Sequence, residues 1–172
     1  FLQMIDREIE NARQGKEAAI TIKMNNLEEK VLINKLYDAS KAGVKVRMIV
    51  RSICCLRPGV PGLSENISIV RIVDRYLEHG RIFLFQNNGA PELYMGSADW
   101  MNRNIYRRIE VCFPVYDEAI KKQVIELLQL QLQDNGQAVA IDENIDNIPL
   151  PKDGAVVCSQ KAIYHLLAEG RL

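Results

Sequence analysis

The chain has 172 residues, of which 48% are hydrophobic and 26% are charged, a composition typical of a globular domain with its own core. Because 22 basic residues balance 22 acidic residues, the net charge gives no reason to expect a nucleic acid or an anionic membrane as partner. No apolar run reaches the roughly 20 residues of a membrane-spanning helix. The first residues carry no cleavage signal, so we expect a cytoplasmic protein.

The beginning of the chain predicts a helix, a strand and a second helix. Residues 1–16 are amphipathic and open as a helix already under way, which is typical of a fragment cut from a longer protein. Residues 17–25 are apolar enough to form a buried strand. Asn26 should then cap the second helix, with Glu29 in capping-box spacing, and Gly43 should end it.

The second strand carries the first candidate site residue. Residues 44–51 alternate apolar with basic side chains, and they complete a βαβ unit with the preceding strand and helix. Arg51 falls at the carboxyl end of this strand, where open α/β sheets bind their ligands. We therefore expect Arg51 to face a ligand.

The middle of the chain predicts a long loop, a strand and a β-hairpin. Residues 56–66 are rich in proline and glycine and could border a site, and residues 67–74 resume a strand. Two apolar segments, 79–86 and 92–97, flank a cluster of turn residues, a pattern typical of a hairpin. His79 would open the first strand of that hairpin.

The next part of the chain predicts a loop, a buried strand and a helix. Residues 97–107 have the composition of a polar loop, and residues 108–115 form another apolar strand. Asp117 should cap a helix with apolar residues at helical spacing, and Gly136 should end this helix.

The end of the chain predicts a loop over residues 142–154 and a terminal helix over residues 159–170. The terminal helix carries His165, which we interpret as part of a helix surface. With no internal repeat, residues 1–172 predict a single α/β domain, in which a mixed β-sheet is flanked by helices.

The four cysteines indicate neither a metal site nor a disulfide framework. None of them forms a CxxC pair, and two are adjacent, which places them on opposite sides of the chain. We expect all of them to be reduced and partly buried. They are Cys54, Cys55, Cys112 and Cys158.

Arginines concentrate between residues 51 and 108. This segment contains eight arginines, five acidic residues and no lysine, although ten lysines occur elsewhere in the chain. A guanidinium group can hold two phosphate oxygens at once, whereas an ammonium group is a compact point charge. The segment therefore indicates a phosphate site, although any one arginine could instead pair with an acidic residue inside the fold.

His79 and Arg81 form an HxR motif, and Ser97 and Asp99 lie in the "GSAD" turn at the end of the partner strand. Imidazole, guanidinium and hydroxyl groups together are suited to phosphoryl chemistry. A single histidine in a strand is more often a packing residue, so the residues alone leave both interpretations open.

This pattern resembles the signature of the phospholipase D superfamily, HxK followed by GSxN, with Arg81 in place of lysine and Asp99 in place of asparagine. Three longer segments are more similar to the carboxy-terminal catalytic domain of bacterial polyphosphate kinase, which has a phospholipase D-like fold. They are residues 51–67, 72–85 and 96–111.

The resemblance implies that ATP donates its terminal phosphoryl group to a histidine, which passes it reversibly to polyphosphate. In that family the phosphorylated histidine lies in the preceding domain, so this chain would be half of an active site and inactive alone. His79 would be the acid or base of the transfer, and Ser97 and Asp99 would orient it. The residues implied to bind nucleotide or polyphosphate phosphates are Arg51, Arg81 and Arg108.

The resemblance also implies partners and a metal. The remaining domains of the parent enzyme, ATP or ADP, and polyphosphate would be partners, and the full-length enzyme would be a homo-oligomer. Mg²⁺ would accompany ATP, with its protein ligands in the preceding domain. Two other functions stay open: a phosphodiesterase of the phospholipase D type, and a non-catalytic module for phosphate binding or assembly.

Overall fold

The structure is a computed structural model and describes residues 1–171, which form one mixed sheet with helices on both faces. Its strands are β1 (Ala19–Met24), β2 (Lys45–Val50), β3 (Ile67–Arg71), β4 (Arg81–Phe85), β5 (Glu92–Gly96), β6 (Cys112–Pro114), β7 (Val139–Ile141) and β8 (Asn147–Pro149). Its α-helices are α1 (Leu2–Arg13), α2 (Lys30–Lys41), α3 (Asn102–Arg107), α4 (Glu118–Leu132) and α5 (Ser159–Ala168).

The eight strands follow the order β6-β5-β4-β1-β2-β3-β7-β8. β1, β2 and β3 are parallel, and the strands on either side of this group are antiparallel to their neighbours. Lys23 near the end of β1 pairs with Ile82 near the start of β4. The start of β4 therefore lies at the same edge of the sheet as the ends of β1 and β2.

Two hydrophobic clusters cover the two faces of the sheet. One cluster joins alternate residues of β1, β2 and β4 to the apolar faces of α1 and α2, with Phe83 and Trp100 fully buried in it. The other joins the opposite faces of β2 and β4 to Leu128 of α4. β1 is covered on both faces, because all of Ile20 to Met24 are buried, including the polar residues Thr21 and Lys23.

Several predictions from the sequence are confirmed. β1 and β2 are parallel with α2 between them, β4 and β5 form the hairpin, and the terminal helix is present as α5. Asp117 caps α4 by accepting hydrogen bonds from the backbone of the first turn. No helix within residues 1–171 combines the length and the apolar character needed to cross a membrane.

The predicted start of α2 is wrong. Glu29, rather than Asn26, is the N-cap, and its carboxylate accepts from the N–H groups of Val31 at 3.1 Å and Leu32 at 2.8 Å. The residues before Glu29 stay extended because Leu27 forms backbone bridges to the segments after β2 and β5. Asn26 is therefore not a helix cap, and it lies instead at the edge of the sheet that carries the candidate site.

His79 does not lie in a strand, which corrects the predicted hairpin. β4 begins at Arg81, and residues 77–80 are irregular and stay outside the sheet ladder. His79 and Arg81 are therefore not two residues on one face of a strand. They are related by a hydrogen bond from the Arg81 guanidinium to the carbonyl oxygen of His79.

The later elements also differ from the predictions. Residues 97–107 contain α3, and residues 142–154 contain β8, which pairs with β7. Only Cys112–Pro114 of the predicted strand is paired, at the exposed edge of the sheet. α4 ends at Leu132, and Gly136 is needed for another reason: a Cβ there would lie 2.6 Å from the Cys158 sulfur.

Candidate functional site

The candidate site lies at the sheet edge where the parallel strands end. Arg51 follows β2, and His79 precedes β4, with β1 between those two strands. The strands β2 and β4 are themselves two strand spacings apart, about 10 Å. Arg81 pairs with Gly96, so that Ser97 and Asp99 follow next to the start of β4. The fold thus brings these predicted residues to one edge.

The chain around Arg51 is fixed by Arg71, at the end of β3. The Arg71 guanidinium donates to the carbonyls of Val50 at 3.4 Å and Ser52 at 2.7 Å, and to Asn147 Oδ1 at 2.7 Å. Arg51 lies between the two carbonyls, half-buried, and its own N–H donates to the Met24 carbonyl at 3.3 Å. Arg71 is one of the eight arginines between residues 51 and 108, and only its position beside β2 reveals this role.

Arg81 forms a largely buried ion pair with Asp99. Its Nε lies 3.2 Å from Asp99 Oδ1, and the two side chains are 13% and 4% exposed. The Asn25 amide, oriented with its oxygen toward the guanidinium, accepts from Arg81 Nη2 at 2.6 Å. Arg81 Nη1 also donates to the carbonyl oxygen of His79 at 2.8 Å. Arg81 therefore holds the backbone of His79.

The carboxylate of Asp99 accepts hydrogen bonds from the segment that follows β1. It accepts from the Asn25 N–H at 2.9 Å and from Asn26 Nδ2 at 2.9 Å, besides Arg81. Burial acts to raise the pKa of Asp99, but the hydrogen bonds from Asn26, Asn25 and Arg81 outweigh it, so that the pKa is below its ordinary value of 3.8. Asp99 is thus ionised at neutral pH, and it supports His79 through Arg81 rather than by contacting the imidazole.

Asp99→Asn should make the free energy of unfolding less dependent on pH in the acidic range. Because the pKa of Asp99 is lowered in the folded state, its stabilisation is complete above pH 3.8 and is lost as the pH falls through the lowered pKa. We expect the variant to be less stable at pH 7 and to lose less further stability below pH 3.8. Acid titrations followed by the fluorescence of Trp100, the chain's one tryptophan, would measure this.

The control for this measurement is Asp142→Asn, because Asp142 only accepts two exposed hydrogen bonds within a turn. An Asp99→Asn titration curve that parallels that of the unsubstituted chain at every pH would contradict the expectation.

The imidazole of His79 is exposed, and within residues 1–171 it has no hydrogen-bond partner. Its main chain is held instead, by Arg81 on one side and by Glu78 on the other. Glu78 is bound by Lys23, Gln131 and Gln160, three residues that the sequence analysis did not select. A buried lysine in β1 was the available signal, since an apolar strand seldom contains an unpaired charge.

Ser97 contacts Glu110 rather than His79. Its hydroxyl donates to Glu110 Oε2 and accepts from the Val111 N–H at 3.1 Å. Asn104 Nδ2 donates to Glu110 Oε1 at 2.6 Å. Hydrogen bonds from Ser97 and Asn104, and the positive charges of Arg108 and Arg81, lower the pKa of Glu110. Arg108, exposed and directly after α3, therefore contributes to the positive potential on this side of the site.

Within the described range 1–171, no group of three histidine, cysteine, aspartate or glutamate side chains could hold a metal ion. The four cysteines are free: Cys54 is buried, Cys55 and Cys112 are exposed, and Cys158 is intermediate. Burial raises the pKa of the Cys54 thiol, so that the thiol stays protonated.

The fold defines the class of protein. It is a phospholipase D-like fold: Nuc from Salmonella typhimurium, a phospholipase D family member, superposes with a TM-score of 0.51 at 13% identity. This match covers 70% of the present chain and 82% of the other. At such an identity, the likeness concerns the fold alone.

Closer relatives define the family. Residues 1–160 match the family model for the polyphosphate kinase C-terminal domain 2, and the chain belongs to this family. The crystal structure of polyphosphate kinase from Porphyromonas gingivalis superposes with a TM-score of 0.94 at 46% identity, covering 98% of this chain and 26% of that one. The polyphosphate kinase of Vibrio cholerae is 50% identical over 166 residues, which are 96% of this chain and 24% of the relative. The chain therefore spans about a quarter of the length of these relatives.

Proposed function

We propose that this domain forms one half of the active site of a polyphosphate kinase. The reaction is the reversible transfer of the terminal phosphoryl group of ATP to polyphosphate, through a phosphohistidine in a preceding domain. Family membership supports the overall reaction, because the relatives that match nearly the whole chain are named polyphosphate kinases. Their greater length leaves room for the other half of the site.

The observation that carries the proposal is the state of His79. Its imidazole is exposed and has no partner within residues 1–171, while Arg81 holds its carbonyl oxygen at 2.8 Å. A packing histidine would be buried and hydrogen-bonded through its ring. A free imidazole on a fixed backbone is suited to act as the acid or the base of a proton transfer. We assign His79 this acid or base role.

The arginines supply the positive charge for phosphate. Arg51 and Arg108 have no ion-pair partner among the side chains of the described range, so that both guanidinium groups are available to phosphate oxygens. Arg81 is paired with Asp99 and binds the carbonyl oxygen of His79, so we assign it mainly to holding His79 in place. Its positive charge adds to the electrostatic potential around the phosphate. Ser97 is assigned to the support of Glu110, next to Arg108.

The remaining parts of the site belong to the parent enzyme under this proposal. ATP or ADP and polyphosphate are the substrates, and Mg²⁺ bound with ATP takes its protein ligands from the preceding domain. Since the phosphorylated histidine is also there, the isolated domain is inactive. We also propose that the parent enzyme is a homo-oligomer and is cytoplasmic.

Arg51→Gln and Arg108→Gln in the full-length parent enzyme should each raise the KM for ATP or polyphosphate about 10- to 100-fold. A hydrogen bond to a charged group contributes roughly 1.5 to 3 kcal/mol, which corresponds to this range. Steady-state kinetics in both directions of the reaction would measure the effect.

The matched control is Arg13→Gln, since Arg13 is an exposed arginine at the end of α1, which leads to the start of β1 at the opposite edge of the sheet. If both variants had the kinetics of this control, neither arginine would bind a substrate phosphate.

A further inference from the structure

Glu78, the residue before His79, is the centre of a nearly buried polar cluster. Its Oε2 accepts from Lys23 Nζ and from Gln131 Nε2 at 3.0 Å, and its Oε1 accepts from Gln160 Nε2 at 2.8 Å. The Lys23 and Glu78 side chains are only 8% and 13% exposed. Three elements, β1, α4 and α5, thus converge on a single carboxylate.

A buried ion pair is a poor source of stability, because removing two charges from water offsets most of their attraction. What such a pair does supply, when every donor is satisfied, is a unique geometry. Lys23 Nζ also donates to Gln131 Oε1 at 2.9 Å, and Gln131 donates to Glu78, so the donors and acceptors of these three side chains form a closed network. This network fixes the conformation of the backbone that leads into His79.

The side-chain amide of Gln160 also binds the main chain of the same segment. Its Oε1 accepts from the Tyr76 N–H at 2.8 Å, and its Nε2 donates to the Tyr76 carbonyl at 2.8 Å as well as to Glu78. The Asn25 amide, in the orientation that accepts from Arg81, donates to the Glu78 carbonyl at 3.0 Å. The backbone is therefore held at Tyr76, Glu78 and His79, while the imidazole itself is left free.

We propose that Glu78 is a positioning residue for His79, and that α5, through Gln160, is a necessary part of the catalytic unit. The proposal rests on the acid or base role proposed for His79. A proton is transferred efficiently only when the imidazole lies within hydrogen-bond reach of the reacting oxygen, and small displacements reduce the rate strongly. Glu78 and Gln160 keep an otherwise irregular segment in the required place, and neither of them has to touch a substrate.

The test uses the full-length parent enzyme with Glu78→Ala and, separately, Gln160→Leu. We expect each to lower kcat at least tenfold and to leave the KM for ATP within twofold, because Arg51 and Arg108 keep their positions. Gln160→Leu preserves the buried pair of Lys23 and Glu78, so it tests the proposal even if Glu78→Ala destabilises the fold.

Matched controls come from the exposed face of α4. Glu126→Ala and Gln123→Leu make the same chemical changes at exposed positions, and they should retain the kinetics of the parent enzyme. Hydrogen exchange provides a second readout: in both test variants, amides 76–80 should exchange faster, while those of β1 and β2 stay protected.

Kinetics of Gln160→Leu equal to those of the Gln123→Leu control would overturn the proposal, as would unchanged exchange of amides 76–80. Parallel losses of kcat and of folded protein would do the same, because they indicate a purely structural role. The exchange readout separates this result from a failure of the proposed function. If His79→Ala were fully active, His79 would lose its assigned role, yet the exchange data would still decide whether Glu78 and Gln160 hold the segment.

Discussion

Replacing His79 with alanine in the full-length parent enzyme should lower kcat for polyphosphate synthesis by about 10²- to 10⁴-fold, the usual contribution of a general acid or base. The substitution removes an exposed side chain without a hydrogen-bond partner within residues 1–171, so it should change neither folding nor the binding of ATP through the arginines. The loss should therefore occur in kcat, with the KM for ATP nearly constant. Initial rates of ADP release and of polyphosphate formation would measure it.

The control is the only other histidine, His165, which is exposed on α5. His165→Ala should keep the full rate. Near-normal synthesis by His79→Ala would show that His79 is not catalytic, and the non-catalytic phosphate-binding or assembly module would then be favoured. Cleavage of bis-nitrophenyl phosphate by the parent enzyme, lost in the same variant, would instead favour the phosphodiesterase.

The second large effect concerns stability. Asp134→Ala should lower the free energy of unfolding by roughly 3 to 5 kcal/mol, because it leaves several buried donors without a partner. Asp134 is 1% exposed and accepts five hydrogen bonds. They come from the N–H groups of Gly136, Gln137 and Ala138, and from the N–H and hydroxyl of Ser159.

These bonds tie the segment after α4 to the first residue of α5. Burial acts to raise the pKa of Asp134, but the hydrogen bonds from Ser159, Gln137 and Ala138 outweigh it and lower the pKa. Urea unfolding of the chain, followed by Trp100 fluorescence, would give the change in free energy. Asp142→Ala, which loses only two exposed turn hydrogen bonds, should cost about 1 kcal/mol or less. Equal midpoints for the two variants would refute the assigned role of Asp134.

The pattern of apolar residues predicted most of the fold. Local sequence signals were misleading where tertiary contacts determine the start or the presence of an element. The strands β1 and β2, the hairpin of β4 and β5, and the helices α2 and α4 follow from the spacing of apolar residues along the chain, because burial on one face of an element requires that spacing. The start of α2 was misplaced because Asn26 and Glu29 fit the pattern of a capping box, whereas the backbone bridges of Leu27 keep the residues before Glu29 extended and make Glu29 the N-cap. The short strands β7 and β8 lacked enough alternation to stand out from a loop.

The site was predicted only in part, for a similar reason. Arg51 could be selected from its position at the end of a predicted strand, and His79 and Asp99 from the HxR and GSAD motifs and the family that these motifs resemble. Glu78 and Gln160 could not, since their importance depends on contacts between residues far apart in the sequence. Where Asp99 was expected to orient His79 directly, the structure shows it paired with Arg81, which binds the carbonyl oxygen of His79.

The partners of Glu78 also bear on the order in which the molecule folds. Lys23, Gln131 and Gln160 are separated from Glu78 by 55, 53 and 82 positions in the chain. Contacts of such long range require the loops between them to be closed at an entropic cost, and the pairings of β1 with β4 and of β3 with β7 are of similar range. Because Lys23 lies in β1 and Gln160 in α5, the segment of His79 becomes ordered only when both the sheet and α5 are in place. Undocking of α5 alone would release that segment while the sheet stays folded.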